Sequence, residues 1–423
     1  MKSGARNSLW HAVVENHKKK VLYVLPVVTF FIGLVMPSPF AENIRAIIGD
    51  EKQCDLVDTV KMVLPDGSVY DGTIMASNGK RHGFGCLTTP DGSVYEGNWK
   101  NGTLPFGQRT TTSSVYNGRF DRDLNNEGFG IIRYSKSYIE GKRKQGLLEN
   151  EIVAVYIGNW HVNNKNGLGR SIKVDGSMDF GTYVKGIFQK TDGANYRVGG
   201  SVYGIDVSHH QSNINWDELC LFCDENGKVY NGKPKAKKYM QPVFFAYIKA
   251  TEGATIRDET YSVRTVEAER HGLAKGAYHF LHLGSDIEEQ VKNFLETVSW
   301  TKGDLPPALD IEVEQEIKKY GKAKLIDMTL HWLERVEAHM HVRPIVYTRE
   351  NIRNKYLNDG RLKKYDFWIA RYNELGPSNF DWHFWQISEK GILNGYNDGR
   401  VDVDLFKGDY AAFNKYRNAE EGL

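Results

Sequence analysis

One short motif recurs between residues 62 and 190, and this repetition constrains the fold of the chain more than any other feature of the sequence. A valine, a tyrosine, one variable residue and a glycine stand together at four places, whose tyrosines are Tyr70, Tyr95, Tyr116 and Tyr156. Successive copies are about 20 to 25 residues apart, with one double step, and such periods are typical of stacked repeats. Residues 138–141 fit the double step as a degenerate copy, and residues 179–183 fit as a decayed last copy.

Each repeat is predicted to form one β-hairpin. Asp91-Gly92 and Asn101-Gly102 are turn signals on either side of a short alternating segment from Val94 to Asn98. A Gly-x-Gly element, as at residues 83–85, completes the unit. An isolated hairpin cannot bury its aromatic face, so the hairpins must stack into an elongated sheet.

The segments Tyr95 to Gly107 and Asn78 to Gly85 resemble the first and second halves of the MORN repeat. The resemblance implies that residues 62–190 form an all-β array of stacked MORN hairpins. Two roles remain open for this array. It is either a self-packed sheet that extends the chain as a spacer, or a docking surface for a protein or lipid partner.

After Gly193 the sequence changes to apolar runs separated by helical patterns, and we predict a second domain over residues 200–415. Several runs are apolar throughout, as expected of strands that are covered on both faces in an α/β sheet or barrel. The eight predicted strands are Val202 to Val207, Pro242 to Lys249, Lys275 to Leu281, Pro307 to Val313, Pro344 to Tyr347, Phe367 to Tyr372, Phe384 to Ile387 and Val401 to Leu405.

Helical patterns separate the earlier strands. Ser285 to Glu288 has the pattern of a capping box that opens a helix. The segments that join the last three strands, residues 373–383 and 388–400, are barely long enough for a helical crossover, which needs about a dozen residues. The predicted fold class is therefore α/β: an irregular TIM-like (β/α)5β3 barrel, with any active site at the C-terminal ends of its strands.

Two acidic residues alternate with apolar ones in the fourth predicted strand. Leu309, Ile311 and Val313 share one face of that strand, so Asp310 and Glu312 share the other, inward face. Like charges this close cannot both ionise easily, so the pKa of one carboxyl rises and that group can hold a proton for a leaving group. Such a pair is typical of glycosidases. The alternative is that both acids are merely solvated where the strand ends.

Asp206 and Asp402 end two further strands, and with this set of acids the chain resembles glycoside hydrolase family 25, the muramidases often called Chalaropsis-type lysozymes, over about residues 202 to 410. The segments that carry the resemblance, in family order, are Asp206-x-Ser208-x-x-Gln211, Ile248 to Gly253, Gly276 to Phe280, Asp310-x-Glu312, Val346 to Thr348, Trp368 to Tyr372, Trp385-Gln386 and Val401-Asp402.

The resemblance implies that the substrate is peptidoglycan, cut at the β-1,4 bond after N-acetylmuramic acid. Glu312 would be the general acid/base, and Asp310 would either orient the 2-acetamido group of the substrate or act as the nucleophile. Asp206 and Asp402 would position Glu312 and the sugar. The implied sugar platform consists of Tyr278, Tyr347, Trp368, Tyr372, Trp385 and Gln386. Core packing is the alternative for each of these aromatic side chains.

The departures from the family pattern are small. Ser212 stands where glycine is usual, Asp404 stands where asparagine is common, and residues 220–238 have the character of an insertion before the second strand. The first affects a turn, and the last affects the rim of the groove. No carboxylate of the set is lost.

Metal and cofactor sites are not predicted. His209, His210 and His279 lack the accompanying ligands and spacing of a zinc site. Cys220 and Cys223 lack the second pair that a zinc ribbon needs. The two cysteines are therefore expected to be unpaired thiols or to form a local disulfide.

The N-terminus predicts export. Residues 1–20 form a basic segment that ends in three lysines, and Val21 to Met36 is uncharged and mostly apolar. Residues 37–41 would complete a span of about 20 residues. Lysines ahead of a span keep the N-terminus cytoplasmic. We expect a membrane anchor over residues 21–41 and a periplasmic or extracellular catalytic domain, with a cleaved signal peptide as the alternative.

The overall charge excludes one class of partner. With 55 Lys+Arg against 53 Asp+Glu, the formal charge is +2, which lacks the basic excess of a nucleic-acid-binding surface. The rival to a hydrolase is a membrane-tethered scaffold that binds the cell wall through a catalytically silent barrel. The intact set of four acids argues against this rival, and the loss of one acid would have favoured it.

Overall fold

The computed structural model describes residues 56–189, 201–230, 239–373, 375–378, 381–397 and 400–417. The chain divides into two compact units, Met1–Gly102 and Thr103–Leu423. Among the helices in the described ranges, none is both long enough and apolar enough to cross a membrane. The predicted basic segment at 1–20 and the predicted anchor at 21–41 lie outside the described residues.

In the first unit, the described residues from 56 onward form four antiparallel strands, each paired with the next along the chain. They are β1 (Leu56–Val63), β2 (Val69–Met75), β3 (Arg81–Thr88) and β4 (Val94–Trp99). The turn predicted at Asp91-Gly92 is confirmed. Ser93 donates a backbone hydrogen bond to Asp91 Oδ1 at 3.0 Å, and Gly92 has a φ of 82°, which favours glycine.

The Tyr-x-Gly and Gly-x-Gly motifs pack against each other across neighbouring strands. The hydroxyl of Tyr70 donates to the carbonyl of Thr73 at 2.9 Å, which holds the ring flat over Gly85. A Cβ at Gly85 would lie 2.2 Å from the tyrosine hydroxyl, so only glycine fits there. The same pairing recurs in the second unit at Tyr116 with Gly130 and at Tyr156 with Gly169.

The second unit begins with seven further strands, again paired antiparallel with their successors. They are β5 (Phe106–Thr110), β6 (Ser114–Phe120), β7 (Asn126–Tyr134), β8 (Val153–His161), β9 (Asn164–Lys173), β10 (Met178–Val184) and β11 (Ile187–Phe188). Trp160 connects two of these repeats, because its indole Nε1 donates to the carbonyl of Gly130 at 3.2 Å. The segment predicted to be a decayed last copy lies in β10.

The degenerate copy predicted at residues 138–141 is wrong, because helix α1 (Lys136–Lys144) occupies this position. The hydroxyl of Ser135 caps the helix by accepting a hydrogen bond from the Tyr138 amide. Ile139 is buried in an apolar cluster with Ile131 and Ile157. The burial of this side chain and the serine cap therefore outweigh the tyrosine–glycine spacing.

The second unit also contains a closed barrel, and each of the eight predicted strands is present in it. The strands are β12 (Val202–Val207), β15 (Phe245–Glu252), β17 (Ala274–Phe280), β18 (Ala308–Ile311), β19 (Ile345–Arg349), β20 (Phe367–Ala370), β21 (Phe384–Gly391) and β23 (Val401–Phe406). Neighbouring strands pair in parallel around the barrel in the order β12, β15, β17, β18, β19, β20 and β21. Strand β23 closes the barrel by pairing antiparallel with both β12 and β21.

Helices cover the outside of the barrel. They are α2 (Tyr261–Arg270), α3 (Ile287–Thr297), α4 (Glu314–Tyr320), α5 (Lys322–Met340), α6 (Glu350–Lys355) and α7 (Tyr410–Tyr416), together with the 3₁₀ turns Trp216–Glu218 and Gly360–Lys364. The predicted capping box of α3 is one residue out of place. Asp286, not Ser285, is the N-cap, and its side chain accepts from the amide of Glu289 at 3.1 Å. A carboxylate at this position is also stabilised by the positive end of the helix dipole.

Three short strands form a small antiparallel sheet outside the barrel. They are β13 (Cys220–Cys223), β14 (Tyr239–Pro242) and β22 (Leu393–Asn394), while β16 (Ile256–Arg257) pairs with the end of β15. The first residues of the predicted insertion, in β13, thus pair with the residues that directly follow it, in β14. Residues 231–238 of the insertion lie outside the described part. Cys220 and Cys223 are buried free thiols on one strand, so the unpaired alternative holds.

The repeat strands of the second unit pack directly against the barrel. Asp217 is at the centre of this junction. Its Oδ2 forms an ion pair with Nη1 of Arg119 on β6 at 2.7 Å, and its Oδ1 lies 2.9 Å from His271 Nε2. The amide of Asn159 on β8 donates to the Asp217 carbonyl at 2.9 Å, and the ring of Phe129 on β7 lies 4.2 Å from the ring of His271. Strands β6 to β8 therefore share polar and apolar contacts with the barrel.

Candidate active site

Four acidic side chains meet at one rim of the barrel. Asp206 and Asp310 lie near the C-terminal ends of β12 and β18, and Glu312 directly follows β18. Asp402 lies at the N-terminal start of β23, and because β23 runs antiparallel, that end reaches the same rim. Asp206 and Asp402 are register partners, and the charges of all four acids act on one another.

Asp310 and Glu312 form a tightly coupled pair. The Asp310 side chain is buried with 4% exposure, whereas a quarter of the Glu312 side chain is exposed at the mouth of the barrel. The two carboxyl groups hydrogen-bond to each other, which requires a proton on one of them. Burial, followed by the charge of Glu312, holds the pKa of Asp310 well above its usual range. The proton expected for this pair therefore lies on Asp310 in the free protein.

The carboxyl groups of Asp206 and Asp402 also have little contact with solvent. Burial, with the charges of Asp402 and Asp404, holds the pKa of Asp206 well above its usual range. Burial, with the charge of Glu312, raises the pKa of Asp402 to about 7. Acids coupled in this way cannot all be ionised at neutral pH, so the rim retains protons that a reaction can use.

A fifth acid, Asp404, lies beneath the other four. Its side chain is fully buried, and the indole Nε1 of Trp368 donates to its Oδ1 at 2.8 Å. Its carboxyl also hydrogen-bonds to Asp206, and burial holds the pKa of Asp404 well above its usual range. Both of these contacts lower the pKa of Asp404 and so oppose the larger effect of burial, which makes Asp404 an acceptor beneath Asp206. The asparagine that is common at this position did not reveal this role.

Gln386 connects the acids to two tyrosines. Its Nε2 donates to Asp206 Oδ2 at 2.7 Å, and its Oε1 accepts from the hydroxyls of Tyr347 at 2.9 Å and Tyr372 at 2.6 Å. The same Nε2 lies 3.5 Å from Asp402 Oδ2. Gln386 is itself buried, so it fixes the orientation of its neighbours rather than offering a surface.

The six predicted platform residues divide into two groups. Tyr372 is 39% exposed and Trp385 is partly exposed, with its indole Nε1 donating to the carbonyl of Arg371 at 2.7 Å. Trp368 is 2% exposed and stacks on Tyr247 with ring centroids 4.5 Å apart, so neither of its faces is open to a sugar. Buried Tyr278, Tyr347 and Gln386 form the floor of the site with Trp368.

Two cations at the rim were given no role from the sequence. Arg349 ends β19, and its Nη2 lies 3.3 Å from Glu312 Oε2. Lys249 on β15 acts on Asp310 through its charge and forms an ion pair of 2.6 Å with Glu252. The signal for both was their position at the C-terminal end of a barrel strand.

The histidines singled out by the sequence are used for hydrogen bonds. His279 is buried between Thr251 Oγ1 at 2.7 Å and Gln290 Oε1 at 3.2 Å, and burial lowers its pKa to about 4. His209 Nδ1 lies 3.0 Å from Asp258 Oδ2. In the described ranges, no group of three or more His, Cys, Asp or Glu side chains is arranged to hold a metal ion.

Comparison with known families identifies two kinds of segment in the chain. Residues 205–396 match glycosyl hydrolases family 25. Residues 77–94, 95–104 and 156–178 match the MORN repeat. The first match contains Asp206, Asp310 and Glu312.

Individual relatives cover about half of the chain. Over 210 residues, 49% of this chain and 70% of the relative, the sequence is 32% identical to the protein named "Uncharacterized protein YegX" of Escherichia coli O6:H1. It is 29% identical to lysozyme M1 of Streptomyces globisporus over 225 residues, 50% of this chain and 69% of the relative. The crystal structure of a bacterial lysozyme from Streptomyces coelicolor aligns with a TM-score of 0.43 and 27% identity, over 51% of this chain and 97% of that chain.

Proposed function

Because the chain belongs to glycosyl hydrolase family 25, we propose that it is a muramidase that cuts the β-1,4 bond between N-acetylmuramic acid and N-acetylglucosamine in peptidoglycan. The similarity to lysozyme M1 supports this substrate class. The observation that carries the proposal is the pair of neighbouring carboxyl groups, buried Asp310 and partly exposed Glu312, at the rim of the barrel, because cleavage of a glycosidic bond needs a carboxylic acid beside the leaving oxygen.

Glu312 is the general acid/base of the proposed reaction, since it is the member of the pair that reaches the mouth of the barrel. It gives a proton to the glycosidic oxygen as the bond to the anomeric carbon breaks, and it later takes a proton from the attacking water. Asp310 first supplies the shared proton. As an anion it then either orients the 2-acetamido group or attacks the anomeric carbon, and both routes remain open.

The remaining residues position the substrate and the acids. Asp206 and Asp402 are held by Gln386, and through them the geometry around Glu312 is fixed. Tyr372 and Trp385 provide the exposed aromatic surface on which the apolar face of a sugar ring packs. The sequence predicted a sugar platform of six residues. We propose instead that Tyr372 and Trp385 alone form the platform and that the other four residues lie beneath it.

The architecture and location of the whole chain belong to the same proposal. The catalytic domain over 200–415 is an irregular (β/α)5β3 barrel. Residues 21–41 anchor the chain in the membrane, and the MORN array over 62–190 is the spacer between this anchor and the barrel. The catalytic domain is then periplasmic or extracellular. Membrane fractionation tests this: the full-length protein should pellet, whereas a soluble form that begins near Glu42 would show a cleaved signal peptide.

Digestion of purified peptidoglycan tests the proposed reaction. The new reducing ends should be N-acetylmuramic acid, and mass spectrometry of the reduced products distinguishes this from N-acetylglucosamine. Glu312→Gln should abolish the release of reducing ends with the fold intact, because an amide keeps the shape but cannot deliver a proton. Glu314→Gln, two residues along the chain, is the matched control and should retain wild-type activity.

The same experiment separates the hydrolase from the wall-binding scaffold. A scaffold with a silent barrel would sediment with peptidoglycan and release no reducing ends, and Glu312→Gln would bind like the wild type. Activity of Glu312→Gln within tenfold of the wild type would show that Glu312 is not the acid.

A further inference from the structure

Arg349 forms an ion pair with the proposed general acid. Its Nη2 lies 3.3 Å from Glu312 Oε2, and its side chain is 55% exposed at the open rim of the barrel. The guanidinium therefore faces both the reacting carboxylate and the solvent from which a substrate arrives. A guanidinium presents several N–H donors in a fork that suits carboxylates.

This ion pair is opposed to the role of Glu312 as an acid. Transfer of a proton to Glu312 would remove the charge to which Arg349 is paired at 3.3 Å, so the ion pair opposes that transfer. Cleavage needs that proton on Glu312. Substrate binding must therefore draw Arg349 away from Glu312 before the reaction proceeds.

We propose that Arg349 binds a carboxylate of the substrate next to the cleaved bond, and that this exchange of partners releases Glu312 to accept the proton of Asp310. The inference rests on the proposed function and adds a specificity element to it. In the exchange the Asp310 O–H bond breaks and a Glu312 O–H bond forms, with no other reactant. A substrate without the carboxylate leaves Arg349 on Glu312 and is cut slowly.

The surroundings of Glu312 favour this assignment to Arg349. The charge of Glu312 acts on the titratable groups around it, which are Asp310 on β18, Tyr278 on β17, Tyr347 and Arg349 on β19, Tyr372 after β20 and Asp402 on β23. Among these groups Arg349 alone is a cation. Lys249 acts on Asp310 but is itself held by Glu252 at 2.6 Å.

Peptidoglycan offers a carboxylate near the cleaved bond from two sources. One is the lactyl arm of muramic acid where no peptide is attached, and the other is the stem peptide. Three substrates with the same glycan backbone separate these sources: peptide-free strands with free lactyl carboxylates, the same strands with those carboxylates converted to amides, and peptide-bearing strands. The neutral amidated strand is the reference.

The experiment compares kcat/KM of the wild type and of Arg349→Gln on the three substrates. The wild type should cut at least one carboxylate-bearing strand about tenfold or more faster than the amidated strand, as expected for a charge-assisted hydrogen bond. Arg349→Gln should lose this preference by cutting the carboxylate strand more slowly and the amidated strand faster. The glycan strand on which Arg349→Gln loses this preference identifies the source of the carboxylate, either the lactyl arm or the stem peptide.

A pH profile and a matched control complete the test. On the amidated strand, the alkaline limb of kcat/KM for Arg349→Gln should move to higher pH, because without the cation the carboxyl pair retains its proton longer. Arg361→Gln is the control, since Arg361 has a similar exposure of 58% and a comparable ion pair with Asp359 at 3.0 Å away from the rim. It should match the wild type on every strand.

Two outcomes overturn the inference. If Arg349→Gln lowered kcat/KM equally on charged and neutral glycan strands, Arg349 would have only a structural role. The proposed function would still stand. No cleavage of any strand by the wild type would refute the proposed function and the inference with it.

Discussion

The indole of Trp368 donates a hydrogen bond of 2.8 Å to the carboxyl of Asp404, and this pair supports the acids of the rim from below. Asp404 in turn hydrogen-bonds to Asp206, which is held from the other side by Gln386. A line of contacts thus runs from a buried tryptophan to an acid of the rim. The hydrogen bond between the two carboxyl groups needs one proton, and because this contact lowers the pKa of Asp404, Asp206 is the donor and Asp404 the acceptor.

Asp404→Asn should therefore be tolerated, whereas Asp404→Ala should not. The amide of asparagine accepts from Trp368 with its oxygen and donates to Asp206 with its nitrogen, so both hydrogen bonds are kept and only the direction of the second is reversed. Alanine leaves the Trp368 N–H and Asp206 without this partner, at a cost of about 1 to 3 kcal/mol. We expect kcat near the wild-type value for Asp404→Asn and a marked loss for Asp404→Ala with little change in KM. A similar loss in both variants would show that Asp404 acts as a charged group.

The sequence was sufficient to predict the barrel strands because strands covered on both faces are continuous apolar runs. It was also sufficient to single out Asp310 and Glu312, but the prediction that both lie on one strand face is wrong, because the strand ends at Ile311 and Glu312 follows it. It could not separate their roles, because the difference between 4% exposure of Asp310 and partial exposure of Glu312 depends on the whole rim. The role of Arg349 was missed for the same reason, since its partner lies 37 residues away on another strand.

Aromatic side chains were the least predictable part of the site. A tryptophan in a strand packs either inward or toward a groove, and the sequence treats Trp368 and Trp385 alike. The structure places Trp368 under the acids and leaves Trp385 at the edge. In the repeats, the error at 138–141 arose because a serine cap and a buried isoleucine select a helix where only the Tyr-x-Gly spacing had been considered.

The acids of the rim make a prediction for stability. Burial raises the pKa of Asp402 to about 7 in the folded protein, above its usual value of 3.8. A raised carboxyl pKa contributes stability that is complete below about pH 4 and is lost as the pH rises toward 7. The free energy of unfolding should therefore fall over this range in the wild type and fall less in Asp402→Asn. Urea titrations at several pH values measure both slopes, and parallel slopes would contradict the prediction.

Activity should follow the shared proton of Asp310 and Glu312. Because burial holds the pKa of Asp310 well above its usual range, the pair retains this proton in mildly acidic solution and loses it on the alkaline side. We expect kcat on peptidoglycan to peak at mildly acidic pH and to decline toward alkaline pH. A flat profile across that range would mean that no shared proton takes part in the reaction.

The glycines under the tyrosine rings should be irreplaceable. A Cβ at Gly130 would lie 2.3 Å from the hydroxyl of Tyr116, so Gly130→Ala must displace a buried ring or the strand, which costs about 1 to 3 kcal/mol. Gly141 in helix α1 is the control, because a Cβ there meets nothing within 4 Å and alanine is the better helix former. Thermal unfolding should show a lower Tm for Gly130→Ala and an unchanged or higher Tm for Gly141→Ala.

The contact between repeats and barrel should stabilise the catalytic half of the chain. Phe129 and Phe84 occupy the same position in two Gly-x-Gly elements, but Phe129 packs on His271 at 4.2 Å, whereas Phe84 is 58% exposed. Phe129→Ala should destabilise the protein by about 1 to 3 kcal/mol through lost apolar burial, and Phe84→Ala should stay within about 0.5 kcal/mol of the wild type. Barrel unfolding is followed by the loss of activity on soluble glycan fragments during heating. If the repeats are a spacer with no part in barrel stability, the two variants will lose activity at the same temperature.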